Sequence, residues 1–418
     1  MLKRTLFTNP VVNNNIIGGR VEFDMPRGKI RNPRLIGFGV ATYSGGTNRQ
    51  YNYINGSPSI ISSVSASYKG TTFSFVRGMG FVSASREIVD SGTQNFSIGG
   101  SLYASSLQYV PATQITMPFT SAPLGQAESN ATYLDLAKFL PFFYGLDLDT
   151  YGELAKAIKS GNRKQAKKLI GSANVFPTDM MPIRLVIEYT TLPLGRLFVN
   201  GASTDSVTFS TPILVCDEIM GLESKSDFQI VYDNYSIESV NLPGNATTGT
   251  FLSNEVRLLG AIGSYVREIT LINGTYPGSA SANSYFLTFG SSAQYKESIN
   301  MIVNSRQFLP LNCDTPAKKQ MYLNYSSPNA MCPLLGGVSD HGAFDGTELY
   351  VKNTPAEGSM KQWSFATFNI DQTISSLVLQ HSRTTTPFYL GFQDINMIVM
   401  YTVQKILTFK NGSVIVSG

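Results

Sequence analysis

The side chains able to do acid–base, nucleophilic or metal chemistry are few in this sequence, and they are scattered. The 418-residue chain holds two histidines, His341 and His381, and three cysteines, Cys216, Cys313 and Cys332. The histidines lie too far apart for a helical zinc pair, and no two cysteines have the spacing of a metal knuckle. An odd number of widely spaced cysteines reads as free thiols made in a reducing compartment. Ser339-Asp340-His341 sets a hydroxyl, a carboxylate and an imidazole side by side, but adjacency in sequence is not the spatial relay of a triad. Gly37-Phe38-Gly39 and Gly78-Met79-Gly80 lack the third glycine and the following helix of a dinucleotide loop, so they read as strand ends or bulges. Asp217 and Glu218 are neighbours on a strand-like run, where consecutive side chains face opposite ways and cannot form an acid and base pair. The single tryptophan, Trp363, reads as a core residue rather than a sugar platform. No catalytic residue, cofactor site or metal site is expected.

Charge is the next chemistry to place. Only 14% of the residues are charged, well under the roughly 25% of ordinary soluble domains, and the net charge is +4. Two segments carry the excess. Residues 1–34 hold Lys3, Arg4, Arg20, Arg27, Lys29, Arg31 and Arg34 against Glu22 and Asp24, a net of +5. Residues 150–172 hold Lys156, Lys159, Arg163, Lys164, Lys167 and Lys168 against Glu153, also +5, so the rest of the chain sums to −6. Two local basic patches on a mildly acidic body can serve a polyanion or act as a solvated arm and helix face.

The elements that position these residues are mostly strands. Ser, Asn, Thr, Gly, Tyr and Phe dominate the composition outside one stretch, and these are strand and turn formers. Asn-Gly supplies the two positive φ angles of a type I′ hairpin, and it occurs at Asn55-Gly56, Asn200-Gly201, Asn273-Gly274 and Asn411-Gly412. Short apolar or alternating runs fill the intervals, among them TTFSFV, PIRLVIEYT, SVTFSTPILVCDEI, DFQIVYDNYSI, SYFLTF, SINMIVN, QWSFATFNI and INMIVMYTV. The exception runs from Tyr133 to about Ser172 and reads as helical, with helices near 151–159 and 163–170. Thr150 with Glu153 fits a capping box, and Asn162 with Gln165 a second cap. The chain is long enough for two hydrophobic cores, so an all-β architecture of sandwiches or barrels with one helical insertion is expected. No signal-peptide or membrane-span pattern is present. Eight Asn-x-Ser/Thr sequons are ascribed to composition rather than to glycosylation.

The order of segments resembles a known family. FLPFFYGL (Phe139 to Leu146), then helices, then NVFPTDMMPIRLVIEYTT (Asn174 to Thr191) and SVTFSTPILVCDEI (Ser206 to Ile219) are similar to the end of the first jelly roll in double jelly-roll major capsid proteins of tailless icosahedral viruses. DNYSIESV, SYFLTFGSSAQY and ESINMIVNSRQFLPLN (Glu297 to Asn312) resemble the opening of the second. The likeness covers residues 130–312, and residues 1–130 match in character only.

The resemblance implies two jelly-roll β-sandwiches in tandem. Residues 1–34 would be a basic N-terminal arm, 35–222 a first jelly roll with the helical insertion at 133–172, and 223–418 a second. It implies a homotrimer with six similar lobes that tiles a shell against neighbouring trimers and minor capsid or penton proteins. It also implies residence in the virion after synthesis in host cytoplasm, and no enzymatic activity. The thirteen basic residues of the two patches would then face inward, toward a genome or an internal membrane. Two other readings stay open: a trimeric β-rich receptor-binding or spike protein, and a jelly-roll carbohydrate-active enzyme with carboxylates converging from distant strands.

Overall fold

The computed structural model describes residues 2–37, 40–43, 60–78, 133–166, 175–191, 194, 206–221, 227–242, 251–273, 291–292, 295–307, 365–385 and 395–418. In its first half the strands are β1 (Leu2–Thr8), β2 (Val12–Asn13), β3 (Arg20–Asp24), β4 (Lys29–Ile36), β5 (Val40–Tyr43), β6 (Ile61–Tyr68), β7 (Thr71–Arg77), β8 (Tyr133–Asp135), β9 (Leu146–Asp147), β10 (Phe176–Pro177), β11 (Arg184–Tyr189), β12 (Val207–Phe209) and β13 (Ile213–Met220). A helix, α1 (Leu148–Lys159), lies between β9 and β10. The second half carries β14 (Phe228–Leu242), β15 (Phe251–Arg257), β16 (Tyr265–Asn273), β17 (Ser291–Ser292), β18 (Tyr295–Val303), β19 (Arg306–Gln307), β20 (Phe365–Thr373), β21 (Leu377–Thr385), β22 (Ile395–Lys410) and β23 (Ser413–Ser417).

These strands pair antiparallel into two sandwiches in tandem. In the first, a sheet of order β1-β13-β4-β10, with β8 also on β4, faces a sheet of order β2-β3-β11-β6-β7. Alternation builds its core: in β3 Val21 and Phe23 are fully buried, and in β11 Leu185, Ile187 and Tyr189 are buried between exposed Arg184 and Glu188. In the second, β20-β16-β22-β14-β9 with β23 faces β15-β21-β18-β17 with β19. Leu379, Met301, Leu271 and Val399 lie at its centre.

The two cores are joined by one ribbon. β14 and β22 pair without a register break from Phe228↔Phe409 to Leu242↔Ile395. Along β22, Met397, Val399, Tyr401 and Val403 enter the second core, while the intervening Ile398 and Met400 enter the first. At the far end Leu407 and Phe409, with Phe228, Ile230 and Tyr232 of β14, also enter the first core. A strand buried on both faces must be apolar at successive positions rather than at every second one, and Met397 to Tyr401 within INMIVMYTV is such a run.

Several expectations change. The segment 1–34, expected as a basic arm, instead supplies β1 to β3 and most of β4 and contributes to both sheets of the first sandwich, so the boundary at 34/35 falls inside β4. The first core also draws on residues beyond 222. The helical insertion holds one full helix, starting at Leu148 rather than near 151, and residues 163–166 start a second helical segment. Thr150 is therefore inside the first turn rather than at the N-cap position, which Asp147 takes, because the chain leaves the β9–β14 pairing there and enters the helix directly. Asn162 does cap: its Oδ1 accepts the Gln165 N–H at 3.1 Å, and its Nδ2 donates to Gln165 Oε1 at 3.1 Å. Gly37 and Gly78 follow β4 and β7 with φ of 68° each, as strand ends. The turns at Asn55-Gly56 and Asn200-Gly201, the run SYFLTF and Trp363 lie outside the described residues.

The hairpin at Asn411-Gly412 forms as its sequence dictates. Both residues have positive φ, 51° and 70°, and the flanks pair Phe409↔Val414 and Leu407↔Val416. The Asn411 N–H donates to Asp227 Oδ1 at 3.1 Å, and Lys69 Nζ donates to the Gly412 carbonyl at 3.3 Å. Gly412→Val forces a β-branched residue into the left-handed region, so it lowers the unfolding free energy by about 1 kcal/mol or more. An unchanged denaturation midpoint contradicts this turn assignment.

Candidate functional site

The richest polar chemistry lies where β13 runs between β1 and β4. Asp217 is fully buried, with its side chain 1% exposed, yet it is charged and surrounded by donors. Lys3 Nζ stands 2.9 Å from Oδ2 and Arg34 Nη1 3.6 Å from the same oxygen. Asn32 Nδ2 donates to Oδ2 at 3.1 Å and Thr5 Oγ1 to Oδ1 at 3.4 Å. The geometry comes from an irregularity in the ladder. The β13–β4 register shifts between Val215 and Asp217, and Asn32 takes φ of 48°, which aims its amide at the carboxylate. Glu218, one residue on, turns to the other face and is held by Arg4, with Nη2 at 2.7 Å and Nε at 2.9 Å. Asp217 and Glu218 therefore diverge, as expected, and each has its own cationic partner.

Electrostatics favours the ionised form of Asp217. Burial alone would raise its pKa, but hydrogen bonds from Lys3 and Asn32, with the charges of Arg34 and Lys3, outweigh burial and hold it below the ordinary carboxylate range. A carboxyl so held is a poor proton donor. The neighbouring Cys216 faces the first core, and burial pushes its thiol up to about 12, where little reactive thiolate forms.

The expected inner-face basic residues separate into two groups. Of the N-terminal seven, five are spent within the sheets: Lys3 and Arg34 on Asp217, Arg4 on Glu218, Arg20 on Glu22 at 2.9 Å, and Lys29 on Asp179 at 3.4 Å. Glu22 is also held by Arg184, whose Nε donates at 2.8 Å. Arg27 is exposed and Arg31 partly buried. The excess counted along residues 1–34 is thus partly offset by Asp179, Asp217 and Glu218 from far along the chain, and an unpaired basic arm is not what the fold makes. The helical group behaves differently. Lys156, Lys159, Arg163 and Lys164 are exposed and have no carboxylate partner among the described residues. Lys167 and Lys168 lie outside the described residues, as do Cys313, Cys332 and the Ser339-Asp340-His341 stretch. No cluster of three or more metal-ligating side chains occurs among the described residues.

The sequence matches no family model and no curated protein. Solved structures do match, over essentially the whole chain. The VP54 protein of PBCV-1, fitted into a reconstruction of the virophage Sputnik, aligns with 100% of this chain and 97% of its own, at 9% identity and a TM-score of 0.56. The major capsid protein of mavirus aligns with 99% of this chain and 90% of its own, at 12% identity and 0.53. That of Faustovirus aligns with 98% and 90%, at 9% and 0.51. At these identities the likeness is one of fold, and the fold is the double jelly roll.

The Asp217 cluster makes an asymmetric prediction. Removing the anion frees Lys3 and Arg34, whose side chains are 55% and 31% exposed and can hydrate, whereas removing the cations strands a buried carboxylate. Lys3→Met with Arg34→Met is therefore expected to cost roughly 3 kcal/mol at neutral pH, and Asp217→Asn clearly less. The pH dependence also reverses. In the native protein the depressed carboxyl contributes stability above its unfolded pKa, and this is lost as pH falls through the lower folded value. In the double variant burial, the largest influence on this carboxyl, is opposed only by the Asn32 and Thr5 hydrogen bonds, so the folded pKa rises, acidification relieves the penalty and the gap between the two proteins narrows. Urea denaturation of both from pH 7 down to pH 4 measures it.

Proposed function

We propose that this chain is the major capsid protein of a tailless icosahedral virus, a structural protein without catalytic function that resides in the virion. The observation that carries the proposal is alignment along nearly the entire length, both sandwiches together, with proteins named as viral major capsid proteins, those of mavirus and Faustovirus. A single jelly roll is common property of many functions, whereas two fused in tandem with one shared ribbon is a more restrictive arrangement. Three such chains supply six similar lobes, and six lobes fill a hexagonal lattice site. The low charge content, 14%, suits a molecule that buries much of its outside against neighbouring trimers and minor capsid or penton proteins.

Within this proposal the helical basic group, Lys156, Lys159, Arg163 and Lys164 with Lys167 and Lys168, faces the particle interior and an internal membrane or genome. Its support is that the four described members are exposed and free of described carboxylate partners, unlike the N-terminal set. Changing all six to Gln is expected to leave trimers intact while reducing packaged nucleic acid or lipid, with a weaker dependence on salt. Wild-type loading across a range of salt would contradict that placement.

Assembly is tested by native mass spectrometry and negative-stain microscopy of the purified chain. The expected result is a trimer of pseudo-hexagonal outline. A stable monomer at micromolar concentration, or an elongated spike, contradicts the proposal.

A further inference from the structure

We infer that the edge of β13 is a strand-binding site that takes β1 from a second copy of this chain when chains assemble. This rests on the capsid reading above and adds to it which surface joins two copies.

β1 is anchored by polar contacts rather than by packing. Of its described side chains only Leu6 packs against the first core, and that only partly, while Phe7 is 69% exposed. What holds the strand is its ladder with β13, from Leu2↔Met220 to Thr8↔Leu214, and the two ion pairs of Lys3 and Arg4. Such contacts are regained in full by an identical strand from another chain, so exchange costs little in enthalpy. The receiving edge cannot stand empty. Asp217 is desolvated, and without β1 it would keep only Arg34 at 3.6 Å and Asn32 of its present partners. The site therefore demands an occupant that brings cations in the register of Lys3 and Arg4, opposite the carboxylates of Asp217 and Glu218. That is charge complementarity to this chain's own first strand.

The connection permits the exchange. Thr8 is the last residue paired on β13, and the Val11 N–H is already fixed on the Glu22 carbonyl at 2.8 Å. Asn9 and Pro10 alone lie between the two sheets. Proline holds its own φ and keeps the residue before it extended, which favours an open link over a tight reversal. A two-residue hinge beside an edge strand, with a large exposed aromatic next to it, is the arrangement from which strands exchange.

The test places cysteines at both members of the outermost ladder pair, Leu2→Cys with Met220→Cys, where Met220 is 46% exposed and open to oxidant. Neither residue takes part in the ion pairs. Chains grown in light and in heavy nitrogen are mixed before assembly and then oxidised. The disulfide-linked peptide is read by mass spectrometry, and the particle mass is measured on the same sample. Exchange predicts linked peptides that pair one light and one heavy half. Assembled material whose linked peptides are all light–light or heavy–heavy overturns the inference and leaves the capsid reading intact, as does assembled material with no link between these positions. A monomer by mass overturns the capsid reading, and this inference with it.

Discussion

The structure depends on one uninterrupted pairing, that of β14 with β22. Fifteen residues of one strand lie in register on the other, and from Met397 to Tyr401 successive side chains of β22 enter alternate cores. Each sandwich uses this ribbon as part of its own wall. A tandem of independent sandwiches would need a separate interface to hold its lobes in a fixed relation, and interfaces between domains usually leave relative motion. Here the relation is set by backbone hydrogen bonds within one sheet. Aromatic rings fasten the ribbon to the first sandwich: Phe228 stacks on Phe409 at 5.1 Å, Phe409 meets Tyr68 at 5.6 Å, and Phe176 meets Phe228 at 5.9 Å and Phe142 at 5.1 Å. On the second core, buried Tyr401 donates to Glu238 at 2.7 Å, and the same carboxylate accepts the Gly260 N–H at 3.0 Å. This ties the ribbon to the loop between β15 and β16.

Charge is used inside the sheets as cross-strand pins. Asp217 binds β1 and β4 to β13, Glu218 adds a second contact to β1, and Glu22 receives Arg20 and Arg184 from its own strand and from β11. A buried carboxylate is costly unless fully partnered, so each pin rewards one strand order and penalises slipped registers.

Much of this was legible in the residues. Asn411-Gly412 between alternating flanks gave its turn type and register, because two positive φ angles leave few other turns. FLPFFYGL was read as part of the helical stretch, and its Phe139, Leu140, Phe142 and Phe143 are all buried in the first core. What misled was counting charge along the chain. Lys3 and Arg4 look like a basic tail because their partners, Asp217 and Glu218, come from a strand more than two hundred residues away. The ribbon was hidden for a related reason. INMIVMYTV reads as a strand signal that stops at Val403, since Gln404 and Lys405 interrupt the apolar run, and only pairing with β14 extends it to one strand of sixteen residues. The capping box at Thr150 failed because a long-range pairing at Asp147 set the helix start.

The central claim is that a shared ribbon makes the two jelly rolls one cooperative body. Hydrogen exchange with mass spectrometry under native conditions tests it most directly. The account predicts that amides of β14 and β22 exchange slowest along their whole length, and that interior strands of the first sandwich (β3, β11) and of the second (β16, β21) open together in one global event. If either sandwich exchanges through its own lower-energy opening while the other and the ribbon stay protected, the two rolls are independent and the account is contradicted.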